Sequence, residues 1–152
     1  MTTSKLYNLI PDATLVCSIA TAYILSSTFP IARVEGFLIS LIGWVILLSA
    51  FGLALSILSD LKSKHTSTDA GGVPSVLLTG GMYRYSRNPF YLLSFLTTIG
   101  AGFVLGTITA FVAPIIYFLT LQLIIIPIEE KNLQIQFGRE YEKYKHTVRR
   151  WV

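Results

Sequence analysis

The polar and apolar positions of this chain fall into long blocks. Residues 13–32, 36–59 and 88–128 contain no charged side chain. A helix needs about 20 apolar residues to cross a bilayer, and the third block runs for 41 residues, enough for two crossings. Gly100, Gly102 and Gly106-Thr107 are places where it can turn. The pattern predicts four transmembrane helices over about 13–32, 36–59, 89–105 and 108–128. Between the second and third, 60–81 is polar and interrupted by Gly71-Gly72, Pro74 and Gly80-Gly81, so a loop over 60–88 is expected. Beyond the fourth, Leu133, Phe137, Tyr141, Tyr144, Val148 and Trp151 recur at spacings of four and three. That is one apolar face of a helix over about 129–150. The expected fold is an all-α membrane protein, a single domain of residues 1–152, with four transmembrane helices and a C-terminal amphipathic cytoplasmic helix.

Composition agrees with the pattern. The chain is 53% hydrophobic and 13% charged, against about 25% charged in a soluble domain. The first block lacks a strongly basic start and follows Pro11-Asp12, so a retained helix is expected rather than a cleaved signal. A single cysteine, Cys17, excludes an internal disulfide and reads as a small packing residue. Basic residues cluster in two places: Lys62, Lys64, Arg84 and Arg87, then Lys131, Arg139, Lys143, Lys145, Arg149 and Arg150. The positive-inside rule puts both segments, and with four crossings both termini, in the cytoplasm. The net charge of +4 lies where anionic headgroups would be and calls for no nucleic acid.

Two local signals carry chemistry. In "YRYSRNPFY", residues 83–91, Asn88 is a preferred N-cap and Pro89 suits the first helical position. A helix starting there turns its positive end to the cytoplasm, where it either is simply capped or meets an anion. Glu129 and Glu130 stand where the fourth block ends. They either complement the dipole of a following helix or, with aromatic faces, hold a cationic ligand group. No nucleotide loop or metal-binding motif is present, and His65 and His146 have no metal-ligand spacing.

"LLTGGMYRYSRNPFY", followed after one more span by Glu129-Glu130, Leu133, "FGREYEKY" and Val148-Arg149, resembles the signature of small integral-membrane methyltransferases. That family includes isoprenylcysteine carboxyl methyltransferase and the phospholipid N-methyltransferases. The likeness covers roughly residues 64–152. It implies S-adenosylmethionine as methyl donor, bound by Ser75, Val76, Leu77, Leu78, Tyr83, Asn88, Pro89, Phe90, Tyr91 and Glu129. Arg87 and Glu130 would support the site, with no metal. It further implies membrane lipids as partners and a lipidic or other hydrophobic methyl acceptor at the cytoplasmic interface: a phospholipid amine, a prenylated thiol or carboxylate, or another small hydrophobic molecule. Three positions depart from the pattern. Asn88 stands where many members have His, Leu93 where a Gly is common, and Ile125 where prenylcysteine enzymes carry a substrate-binding Arg. The rival reading is a non-catalytic membrane protein with an interfacial belt of tyrosines and arginines. A member that binds the donor without turning it over lies between the two.

Overall fold

The computed structural model describes residues 3–63 and 76–152. Ser75, Lys64 and His65 lie outside the described residues, as does most of the 60–81 loop. The described chain is helical: α1 (Thr3–Thr28), α2 (Phe37–Ser63), α3 (Pro89–Leu105), α4 (Val112–Thr120), α5 (Ile126–Phe137) and α6 (Arg139–Thr147). Three helical stretches are long and apolar enough to cross a membrane, Ile10–Thr28, Phe37–Ser59 and Ile108–Phe137, while Pro89–Leu105 is apolar but shorter. Helix α1 tolerates Pro11 near its start and stops at Thr28. Phe29 follows, and the residue before a proline, here Pro30, is pushed out of the helical region.

At one end of the bundle the two helical hairpins are tied together. Gly106 ends α3 in the left-handed conformation, φ +64°, a backbone geometry that costs glycine least. Its carbonyl accepts from the Val34 N–H at 2.8 Å, and the Ile108 N–H donates to Ala32 at 3.2 Å. The Thr107 hydroxyl donates to Ser26 Oγ at 2.9 Å. The α1–α2 and α3–α4 turns therefore share backbone hydrogen bonds with each other.

Helices α2 and α3 cross at a pair of glycines. A β-carbon on Gly43 would lie 2.9 Å from the Gly100 carbonyl oxygen, and one on Gly100 would lie 3.1 Å from the Gly43 oxygen. Small residues at a crossing let membrane helices approach backbone to backbone. Further along the same interface, Leu93 of α3 packs on Ile57 of α2 with Leu78, Met82, Tyr83 and Phe90 around them. Leu93 thus fills a contact between two helices. The opposite faces are bare: Phe37 is 80% exposed and Leu48, Phe51 and Trp44 are also exposed, as suits surfaces solvated by lipid. Cys17 lies on such an exposed face of α1 and not in a packed contact.

Helices α4 and α5 are joined without a break by a π turn over Leu121–Ile125. Pro127 follows immediately. It has no N–H to give the Leu123 carbonyl, and a π turn is a known way for a helix to absorb such a fault. The tail is not one helix. Gly138, at φ +51°, separates α5 from α6, and α6 buries Tyr141 and Tyr144. Beyond α6, Val148 is extended (φ −122°, ψ 132°), so Trp151 lies outside the helical stripe and packs back onto the bundle beside Tyr117, Leu121, Ile125 and Ile126.

Candidate functional site

The predicted site residues gather where the start of α3, the middle of the α4–α5 helix and the tail meet. A 3₁₀ turn over Gly81–Arg84 presents Tyr83. The Tyr144 hydroxyl of α6 donates to the Tyr83 carbonyl at 2.7 Å. Burial pushes the Tyr83 phenol well above its usual range, and the negative charge of Glu129 adds to the shift. Tyr83 and Glu129 are therefore within electrostatic reach of each other. Tyr91, on the first turn of α3, hydrogen-bonds Glu129. Three of the expected residues, Tyr83, Tyr91 and Glu129, thus form one cluster.

Asn88 is buried and precedes α3, but its side chain makes no capping bond. Its Nδ2 donates instead to the Arg150 carbonyl at 3.1 Å, so the amide holds the tail and does not cap the helix. Pro89 is fully buried at the first helical position. Phe90 and Leu78 pack with Tyr83 on the Ile57–Leu93 contact. Leu77 is half-buried and Val76 exposed. The apolar patch thus sends one side chain into the protein and leaves another outside.

The arginines meet at Glu130. Arg87 Nη2 lies 3.1 Å from Glu130 Oε1, and Arg150 Nη2 lies 2.7 Å from Glu130 Oε2. Arg150 Nε also donates to Oε1 at 3.2 Å. The Arg87 side chain is only 9% exposed. A buried charge of this kind needs its partner, because leaving it alone in a dry interior is costly. The backbone repeats the connection: the Arg87 N–H donates to Arg149 at 3.0 Å, and the Ser86 hydroxyl donates to Arg150 at 3.2 Å. Residues 148–152 therefore run as a strap over the 83–91 segment.

Four buried polar atoms around this network have no hydrogen-bond partner among the described residues: Arg87 Nε and Nη1, Glu129 Oε2 and the Tyr141 hydroxyl. Each such atom costs about 1–3 kcal/mol when unpaired, and buried polar groups are rarely left so. Their chemistry is mixed. Glu129 Oε2 accepts and attracts a cation. The two arginine N–H groups and the Tyr141 hydroxyl donate. Burial pushes the Tyr141 phenol up to about 12, so it stays a neutral donor at physiological pH. A ligand that is both cationic and anionic suits this set. On the outer side of Tyr144 lies an open groove of about 450 Å³, lined by Thr79, Arg84, Glu140, Lys143, Tyr144, Thr147 and Val148.

Sequence reasoning did not assign roles to Ser86, Tyr141, Tyr144, Arg150 or the pairing of Trp151. In the sequence the two tyrosines stand out as part of an apolar stripe and of "FGREYEKY", neither of which shows what they touch. Arg150 reaches a carboxylate 20 residues away, a separation that no helical spacing marks.

No curated protein and no solved structure matches the chain. The family model described as phospholipid methyltransferase matches residues 38–140. That segment takes in α2, the 83–91 turn, α3, both carboxylates and the start of α6. With more than half of its 152 residues matched, the chain belongs to the phospholipid methyltransferase family.

Proposed function

We propose that this protein transfers a methyl group from S-adenosylmethionine to a lipidic or other hydrophobic acceptor at the cytoplasmic face of a membrane. The observation that carries this reading is the set of unpartnered buried groups on Glu129, Arg87 and Tyr141, beside Tyr83 and Tyr91. S-adenosylmethionine, when bound, supplies an activated methyl on a sulfonium, and it also bears an ammonium and a carboxylate. The Glu129 carboxylate would hold the cationic part, with Tyr91 fixing its orientation. Arg87 and Tyr141 would donate to the anionic part. Leu77, Leu78 and the backbone at Asn88, Pro89 and Phe90 would line the remainder. Methyl transfer demands alignment and the exclusion of water. The strap of 148–152 and the aromatic rings of Tyr83, Tyr91 and Tyr144 meet that demand.

We read α3 as a fourth, short crossing. Its 17 residues span about 26 Å at 1.5 Å each, a little less than the hydrocarbon thickness of about 30 Å. The start of α3, and the site with it, would then lie at the boundary between headgroups and acyl chains, where a lipid acceptor enters sideways. Basic residues crowd that end. At the other, Arg33 is paired with Glu35 at 3.0 Å, which supports a cytoplasmic site and cytoplasmic termini.

The test is transfer itself. Purified protein in vesicles of a total lipid extract, given methyl-labelled S-adenosylmethionine, should move label into the lipid phase. Donor binding without any labelled product would favour the inactive-member reading, and neither binding nor transfer by intact protein would contradict the proposal.

A further inference from the structure

We infer that Gln122 and Trp151 form a latch that positions the site, an inference that rests on the donor-binding role proposed above. Gln122 is a polar side chain within the long apolar helix, and it is the second residue of the π turn. Trp151 Nε1 donates to its Oε1 at 2.8 Å. The indole also lies 5.2 Å from the Phe118 ring, which is 5.1 Å from Phe95 of α3. One residue earlier, Arg150 grips Glu130. The strap is therefore fastened at two levels of one helix, eight residues or about 12 Å apart.

Beside those anchors the strap's carbonyls hold the 86–88 segment. Arg149 accepts from the Arg87 N–H, and Arg150 accepts from Ser86 Oγ and Asn88 Nδ2. Trp151 and Tyr91 pack against the same cluster of Tyr117, Leu121, Ile125 and Ile126, and Tyr91 orients Glu129. Releasing the indole would loosen both walls at once: Arg87 through the strap, and Glu129 through Tyr91. The π turn gives the helix a wider turn between Gln122 and the glutamates than a regular α-helix would have. Gln122 and Trp151 act through the strap and the packed cluster, so they are positioning residues. A supporting shell of this kind must hold site groups to about 0.5 Å.

Gln122→Leu removes the acceptor, retains an apolar side chain of similar size and suits the lipid setting, so it should fold. Trp151→Phe keeps the ring on Phe118 and loses only the N–H. In full-length protein we expect either substitution to weaken S-adenosylmethionine binding about tenfold, with the thermal midpoint little changed. Hydrogen exchange at the Arg87 amide should rise in parallel. A wild-type protein that binds the donor, with variants that bind it equally well, overturns the latch. A lower midpoint with unchanged affinity does so too, since that marks packing alone. If the wild-type protein binds no donor, the functional reading fails, and the exchange arm decides the latch by itself. Unchanged exchange at Arg87 would then overturn it.

Discussion

Two adjacent carboxylates in this protein do opposite things. Glu130 is spent on two arginines, at 3.1 Å and 2.7 Å. Glu129 shares its neighbourhood with tyrosines and keeps one buried oxygen unpartnered. Neutralising each should therefore give contrasting results. Glu130→Gln leaves the buried Arg87 without its counter-ion and should destabilise by about 3–5 kcal/mol, read as a large drop in thermal midpoint in detergent. Glu129→Gln removes an unpaired buried charge and should leave the midpoint unchanged or raise it. Equal losses of stability for the two variants would contradict this division of labour. Arg87 follows the same logic. Its Nη2 pairs with Glu130, while its Nε and Nη1 are buried without a partner among the described residues.

The glycines of the helices test a separate set of contacts. Gly43 and Gly52 lie on the same helix, α2. A β-carbon at Gly43 would press to 2.9 Å against α3 backbone, whereas one at Gly52 would meet nothing within 4 Å. Gly43→Ala should cost about 1–3 kcal/mol through overpacking. Gly52→Ala should be neutral or slightly stabilising by helix propensity. Thermal unfolding followed by circular dichroism separates them. Gly138 has open space around it but a positive φ, so Gly138→Ala should destabilise through backbone strain alone, by about 1–3 kcal/mol. Helical character was legible from the charge-free blocks, because a bilayer permits little else. The tail was less so. Its stripe from Leu133 to Trp151 has helical spacing throughout, yet Gly138 and the extended Val148 divide it. Trp151 finds Gln122 across 29 residues, and such tertiary pairings leave no periodic trace. Asn88 shows the same limit in miniature. As a residue type it suits a cap, but its amide is turned to the Arg150 carbonyl and its oxygen makes no capping bond.

For the molecule as a whole, the account requires two faces. The tied turns around Arg33 and Gly106 should lie on one side of the membrane, and the 83–91 loop, the strap and α6 on the other. In a Cys17→Ser background, Ile31→Cys and Lys145→Cys should react with a membrane-impermeant maleimide from opposite sides of sealed cells. Labelling of both from the same side would refute the four-crossing topology. Much of the proposed site could be read from the chain beforehand, since Tyr83, Tyr91 and Glu129 belong to two separated motifs that the fold brings together. What could not be read was the bonding of residues 149–150 to the 86–88 segment. The central claim is that Glu129 belongs to a methyl-donor site, and calorimetric titration of detergent-purified protein with S-adenosylmethionine tests it most directly. The account predicts saturable binding by the wild-type protein and affinity at least about tenfold weaker in Glu129→Gln, with the fold intact. Absence of binding by folded wild-type protein, or equal affinity in the variant, would contradict it.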